Sequence, residues 1–150
     1  MGHQIKLSED QHKSIAFPTW TLTLPAGEDV LALIPQTRGP VASIGKVLGN
    51  RTTLYKYLDP RLFVLLTTAP TKSRCGIYVV DSTKGTVIYH AEVKAGLKGC
   101  QVKAVFSENW LVYHYYEDEV AGGSVGGSTG YRMVSVEFYE GQGVDQKIQR

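Results

Sequence analysis

Cysteine is scarce in this sequence: Cys75 and Cys100 are the only two, and they form no C-x-x-C pair. Zinc patterns that need ligands in close pairs are therefore excluded. Charge of one sign is also lacking. Sixteen Lys and Arg against fourteen Asp and Glu leave a net charge of +2, so nothing demands a nucleic-acid or membrane-surface partner. No run approaches the ~20 apolar residues of a membrane span; the longest apolar stretch, Leu62 to Leu66, reads as a buried strand. The opening "MGHQIKLSED" has no apolar core of the kind a signal peptide carries. G-x-G-x-x-G, P-loop, G-x-S-x-G and H-E-x-x-H motifs are all missing.

What is present favours strands and turns. Sixteen Gly and nine Tyr stand in a chain that is 43% hydrophobic and 20% charged, ordinary values for one globular unit of 150 residues. Residues 1–17 read as an N-terminal tail, with Met-Gly-His a candidate cloning remnant. Trp20, Leu22 and Leu24 then alternate with threonines, a half-buried strand that Pro25 ends. Val30 to Pro35 is a second short strand, and Gln36 to Asn50 a loop.

Four strands follow in quick succession: Leu54 to Leu58, Leu62 to Thr68, Ile77 to Asp81 and Thr86 to Val93. The second is apolar on both faces and belongs inside a covered sheet. Asp81 to Gly85 is a tight polar turn between the last two. Four antiparallel strands on short turns make one propeller blade. The rhythm then restarts with Val102 to Phe106, Trp110 to Tyr116 and Arg132 to Tyr139, with no fourth strand expected. The predicted fold is all-β: a partial β-propeller of about two four-stranded antiparallel blades over residues 18–141. The alternative is a β-sandwich, which seven or eight short strands also suit. Within that span, 121–130 reads as a flexible Gly/Ser loop, and 142–150 as a C-terminal tail.

Chemistry-bearing residues are few. His3, His12, His90 and His114 are scattered, with no partner at a ligand spacing, so each reads as an ordinary polar position. Glu117, Asp118 and Glu119 could pair for acid–base work, but adjacent acids at a strand end are normally a solvated loop. Tyr113 and Tyr115 fall on one face of their strand and His114 and Tyr116 on the other, which suits sheet packing better than base stacking. No catalytic, metal or cofactor-binding residue is predicted. Asn50-Arg51-Thr52 is an N-glycosylation acceptor pattern in a polar loop. Cys75 and Cys100 either form a disulfide in an oxidising compartment or remain two buried thiols.

Four stretches carry a family resemblance: "KVLGNRTTLYKYLDPRLFVLL" (46–66), "GIYVVDSTKGTVIYHAEV" (76–93), "SENWLVYHYY" (107–116) and "SVEFYEG" (135–141). Together with "PTWTLTLP" before them, they resemble subunit 1 of the endoplasmic reticulum membrane protein complex. "LYKYLDPRL" and "SENWLVY" are the most specific, because their residue choices exceed what a strand or turn demands. The resemblance implies a quinoprotein-like β-propeller segment, lumenal and close to the membrane. It also implies a non-catalytic scaffold role in a complex that inserts transmembrane helices and assists membrane-protein biogenesis, with the other subunits as partners. Neither nucleic acid nor membrane is an expected contact of this segment itself. The quinoprotein-like hairpin also raises a dehydrogenase, but a quinone site needs groups converging from many blades, and fewer than two are present. A lone blade exposes strand edges and bare apolar faces, so the isolated chain is expected to self-associate.

Overall fold

The computed structural model describes residues 1–8, 13–96, 98–117 and 129–145, with the side chains of 142–145 left undescribed. Residues 121–128 of the Gly/Ser loop and 146–150 of the expected tail lie outside the described residues. The described chain is built of strands, with one short 3₁₀ turn at Pro70–Lys72. Among these residues no helix is long and apolar enough to cross a membrane.

The centre is a four-stranded antiparallel sheet of β3 (Asp29–Pro35), β6 (Leu62–Ala69), β7 (Arg74–Asp81) and β8 (Val87–Lys94), in that order. Strand alternation divides its side chains between two faces. Leu62, Val64 and Leu66 with Cys75, Ile77 and Val79 form one buried cluster, while Leu65, Tyr78 and Val80 form another on the opposite face. Both faces are covered, as the unbroken apolar run of β6 requires. Gly76 lets the backbone approach here, because a Cβ would stand 2.3 Å from the Thr67 hydroxyl.

A second, three-stranded sheet of β9 (Lys103–Ser107), β10 (Trp110–Glu117) and β11 (Gly130–Glu137) packs on the first cluster through Phe106, Leu111 and Tyr113. Each sheet contains a run of consecutive strands joined as a meander, β6-β7-β8 and β9-β10-β11. Sandwiches of the immunoglobulin type instead pass strands between sheets by Greek-key connections. Two successive blades, face to face, describe the arrangement.

Four placements differ from the sequence-based expectation. The inner strand of the first blade is β3, not Leu54 to Leu58; β5 (Thr53–Lys56) belongs to a separate sheet with β4 (Gly45–Val47) and β12 (Tyr139–Asp145). A strand therefore does follow β11, but it crosses away to pair with β5. The stretch expected as an N-terminal tail holds two strands: β1 (Gly2–Ser8) and β2 (Lys13–Trp20) pair as an antiparallel ribbon. β2 ends at Trp20, and Leu22 and Leu24 continue without ladder bonds, packing on the second cluster. Period-two patterning reports which face a residue takes, not which strand it pairs with.

Candidate interaction surface

The two most distinctive motifs meet in space. "LYKYLDPRL" runs from β5 through a loop into β6. Asp59 shapes that loop: its Oδ1 accepts the Arg61 amide at 3.0 Å, and its two oxygens take the Arg61 guanidinium at 2.8 Å each. Pro60 suits the turn because its ring presets φ and removes a donor. The Arg61 carbonyl then accepts the Ser82 amide at 2.9 Å, fastening the loop to the β7–β8 turn.

"SENWLVY" supplies the other side. Glu108 sits in the β9–β10 turn with φ +50°, a left-handed conformation that a residue with a Cβ adopts at a cost. It is held at both ends: Gln36 Nε2 donates to its carbonyl at 2.5 Å, and Lys56 Nζ lies 3.0 Å from its carboxylate. Asn109 is fully buried. Its Nδ2 donates to the Phe138 carbonyl at 3.0 Å, which also accepts the Tyr57 amide at 3.0 Å. Asn109 Oδ1 has no hydrogen-bond partner among the described residues. Asn109 thus locks the start of the YLDPR loop to the end of the second blade.

An open groove of about 660 Å³ borders this junction, lined by Ile44, Tyr57, Leu58, Asp59, Arg61 and Glu140 among others. A smaller hollow of about 120 Å³, lined by Gln36, Arg38, Val41 and Glu108, shares Leu58 and Pro60 with it. The Arg61 bond holds the Asp59 carboxyl below its ordinary range, against the opposing effect of burial. Burial, then the Asp59 charge, pushes the Tyr57 hydroxyl up. The lining offers a fixed carboxylate–guanidinium pair beside apolar surface, a recognition chemistry. The larger groove is lined by no histidine, cysteine, serine or threonine among the described residues, and the smaller hollow has Thr37 on its wall.

The sequence-predicted candidates lie elsewhere. His90 stacks on Tyr78 at 4.2 Å, and His114 packs edge-on against Tyr131. His12, Asp118 and Glu119 lie outside the described residues. Glu117 bonds Arg132 at 2.9 Å. No group of three or more metal-ligating side chains stands together among the described residues. Tyr113 joins the buried cluster with Tyr115 against it, and Tyr116 packs edge-on against Tyr131, its partner across the β10–β11 ladder. Cys75 on β7 and Cys100, in the segment between β8 and β9, form a disulfide with Cα atoms 5.6 Å apart, against the cluster the two sheets share. Asn50 stands exposed in the β4–β5 turn.

Sequence reasoning missed two further contacts. Trp20 lies over the β7–β8 turn, donating Nε1–H to the Ser82 carbonyl at 2.7 Å, with its ring where a Gly85 Cβ would be. Glu28 accepts from both Thr67 and Tyr78, anchoring the segment before β3. Both span dozens of residues, and no local pattern encodes them.

The family model described as "ER membrane protein complex subunit 1, second beta-propeller" matches residues 1–150. ER membrane protein complex subunit 1 of Schizosaccharomyces pombe is 39% identical over 132 residues, covering 86% of this chain and 14% of that protein. Its Xenopus laevis counterpart is 34% identical over 128 residues, covering 81% of this chain and 12% of the relative. That of Gallus gallus is 35% identical over 104 residues, covering 65% and 10%. The chain thus spans a small part of the length of these relatives. With a match running from its first residue to its last, this chain belongs to the ER membrane protein complex subunit 1 family, in the region described as the second β-propeller.

Proposed function

We propose that this chain is a non-catalytic scaffold segment of the endoplasmic reticulum membrane protein complex, positioned in the lumen. The reading carries over the complex's role in inserting transmembrane helices and assisting membrane-protein biogenesis; that work belongs to the assembly, and this segment supplies rigid surface. The other subunits are its partners, through the groove beside Asp59 and Arg61, while nucleic acid and membrane are not.

The observation that carries this reading is the family match across the whole chain, joined to the place where its distinctive residues converge. "LYKYLDPRL" and "SENWLVY" build an inter-blade junction and a recognition groove, not an acid–base pair. A scaffold needs such fixed surface. The test is affinity purification of the full natural polypeptide from detergent-solubilised endoplasmic reticulum, unaltered and as Arg61→Glu. The unaltered protein should bring down the complex, and the variant should bring down less while keeping its lumenal protease protection. Purification free of every other subunit would overturn the reading.

A further inference from the structure

The Asn50-Arg51-Thr52 acceptor pattern is not absorbed by the scaffold role, and its setting is specific. Asn50 is exposed in the turn that joins β4 to β5, and Arg51 holds φ +68°. The turn closes through Leu48 N–H to the Thr52 carbonyl at 2.8 Å and Arg51 N–H to the Leu48 carbonyl at 2.9 Å. Thr52 is 2% exposed, and its hydroxyl donates to Asn50 Oδ1 at 2.6 Å. The Thr52 amide donates to the same oxygen at 3.1 Å. Both bonds engage Oδ1, leaving Nδ2, the atom that takes a sugar, out of them.

β4 is also the open edge of its three-stranded sheet, flanked by exposed Ile44 and Val47. An uncovered apolar edge invites pairing with another chain, and a bulky hydrophilic group beside it prevents that.

We infer that Asn50 carries an N-linked glycan, added to the nascent chain before the β4–β5 turn closes, which shields the β4 edge. The inference rests on the lumenal placement proposed above. The donor is an oligosaccharide diphosphate carried on a lipid. Asn50 Nδ2 forms a bond to the anomeric carbon as the bond from that carbon to the diphosphate oxygen breaks. The lipid diphosphate leaves with the electron pair, and the amide proton passes to a base of the transferase. A transferase that reads the Thr52 hydroxyl must reach it, and burial in the folded turn withdraws it. Modification therefore precedes folding.

The test uses the full natural polypeptide expressed in a eukaryotic secretory cell, with an unstructured Asn-Ala-Thr tag appended as a second acceptor. Glycosidase treatment in heavy-oxygen water, then peptide mass spectrometry, should place a label at position 50 in the unaltered chain. Asn50→Gln should remove one glycan's worth of mobility shift, and Thr52→Ser should keep it. In a pulse-chase experiment the glycan should be present at the earliest full-length time point, and unmodified chains should not gain it later. A labelled tag with position 50 bare overturns the site while leaving lumenal placement standing. Neither acceptor labelled overturns the lumenal placement, and the glycan with it. Gain of the glycan during the chase overturns the order of events.

Discussion

Lys56 Nζ lies 3.0 Å from Glu108 Oε2, joining the end of β5 to the β9–β10 turn across 52 residues of sequence. Both side chains are largely withdrawn from solvent, at 17% and 27% exposure, so screening is weaker than at a surface pair. Because Glu108 occupies a left-handed turn position, the ion pair fixes a backbone conformation as well as two side chains. A double-mutant cycle of Lys56→Gln and Glu108→Gln should give a coupling of about 1 kcal/mol. Additive losses in denaturant unfolding would show that the pair contributes nothing.

Gly85 and Trp20 form the second long-range clamp. Gly85 holds φ +70°, and a Cβ there would meet the Trp20 ring at 2.4 Å. Gly85→Ala should destabilise the fold by about 2 kcal/mol, from overpacking and backbone strain together. Combining it with Trp20→Ala should recover the overpacking part and leave the strain. A melting temperature unchanged by Gly85→Ala would refute the contact.

The Cys75–Cys100 disulfide closes a loop of 25 residues under a cysteine that is 1% exposed. Loop-closure entropy for that length corresponds to about 3 kcal/mol. Reductant should lower the melting temperature of the unaltered chain and not that of a Cys75→Ala, Cys100→Ala double variant. Two free thiols titrating in the native, unreduced protein would be the contrary result.

Alkaline pH should reveal the tyrosines of both blades. Burial, then the bond to Glu28, pushes the Tyr78 hydroxyl up to about 12. Burial, then the 3.4 Å contact with the Tyr89 hydroxyl, drives Tyr113 up as well. The folded state therefore favours the neutral phenols. Their stabilising contribution is complete below the ordinary value of 10 and declines as pH rises from 10 toward 12. Phenolate absorbance should show a late-titrating class that joins the ordinary one when urea unfolds the chain. Tyr78→Phe should shrink that class; a single transition near 10 in the native protein would contradict this.

The outer face of the second blade is bare. Val105 is 61% exposed, Tyr131 76% and Met133 75%, and Val105 stands opposite Val112 on β10. Such a face is covered by a neighbouring blade in a complete ring. On its own the 150-residue chain should self-associate, read by light scattering. Val105→Lys with Met133→Lys should shift it toward monomer. A monomeric unaltered chain would count against the face being an interface.

The strand rhythm was readable because side-chain alternation is local: β6 to β8 and β9 to β11 fall where the pattern of apolar residues and turn glycines puts them. That Tyr113 and His114 take opposite faces follows from period two alone; that Tyr113 is the inward one is set by the docked blades. The family, too, was legible, since "LYKYLDPRL" and "SENWLVY" contain choices that secondary structure does not require. The N-terminal ribbon escaped notice because its strands are exposed on both faces, so no alternation marks them.

Sheet membership was a different kind of question. Whether β3 or β5 lies beside β6 depends on hydrogen bonds between strands remote in sequence, and both segments carry acceptable strand composition. The Lys56–Glu108 pair, the Trp20 clamp and the course of β12 arise likewise, from backbones brought together only when the blades dock. Local chemistry decided which residues turn inward. Long-range packing decided which of them meet, because the energy of a contact between distant segments exists only once the chain between them has closed.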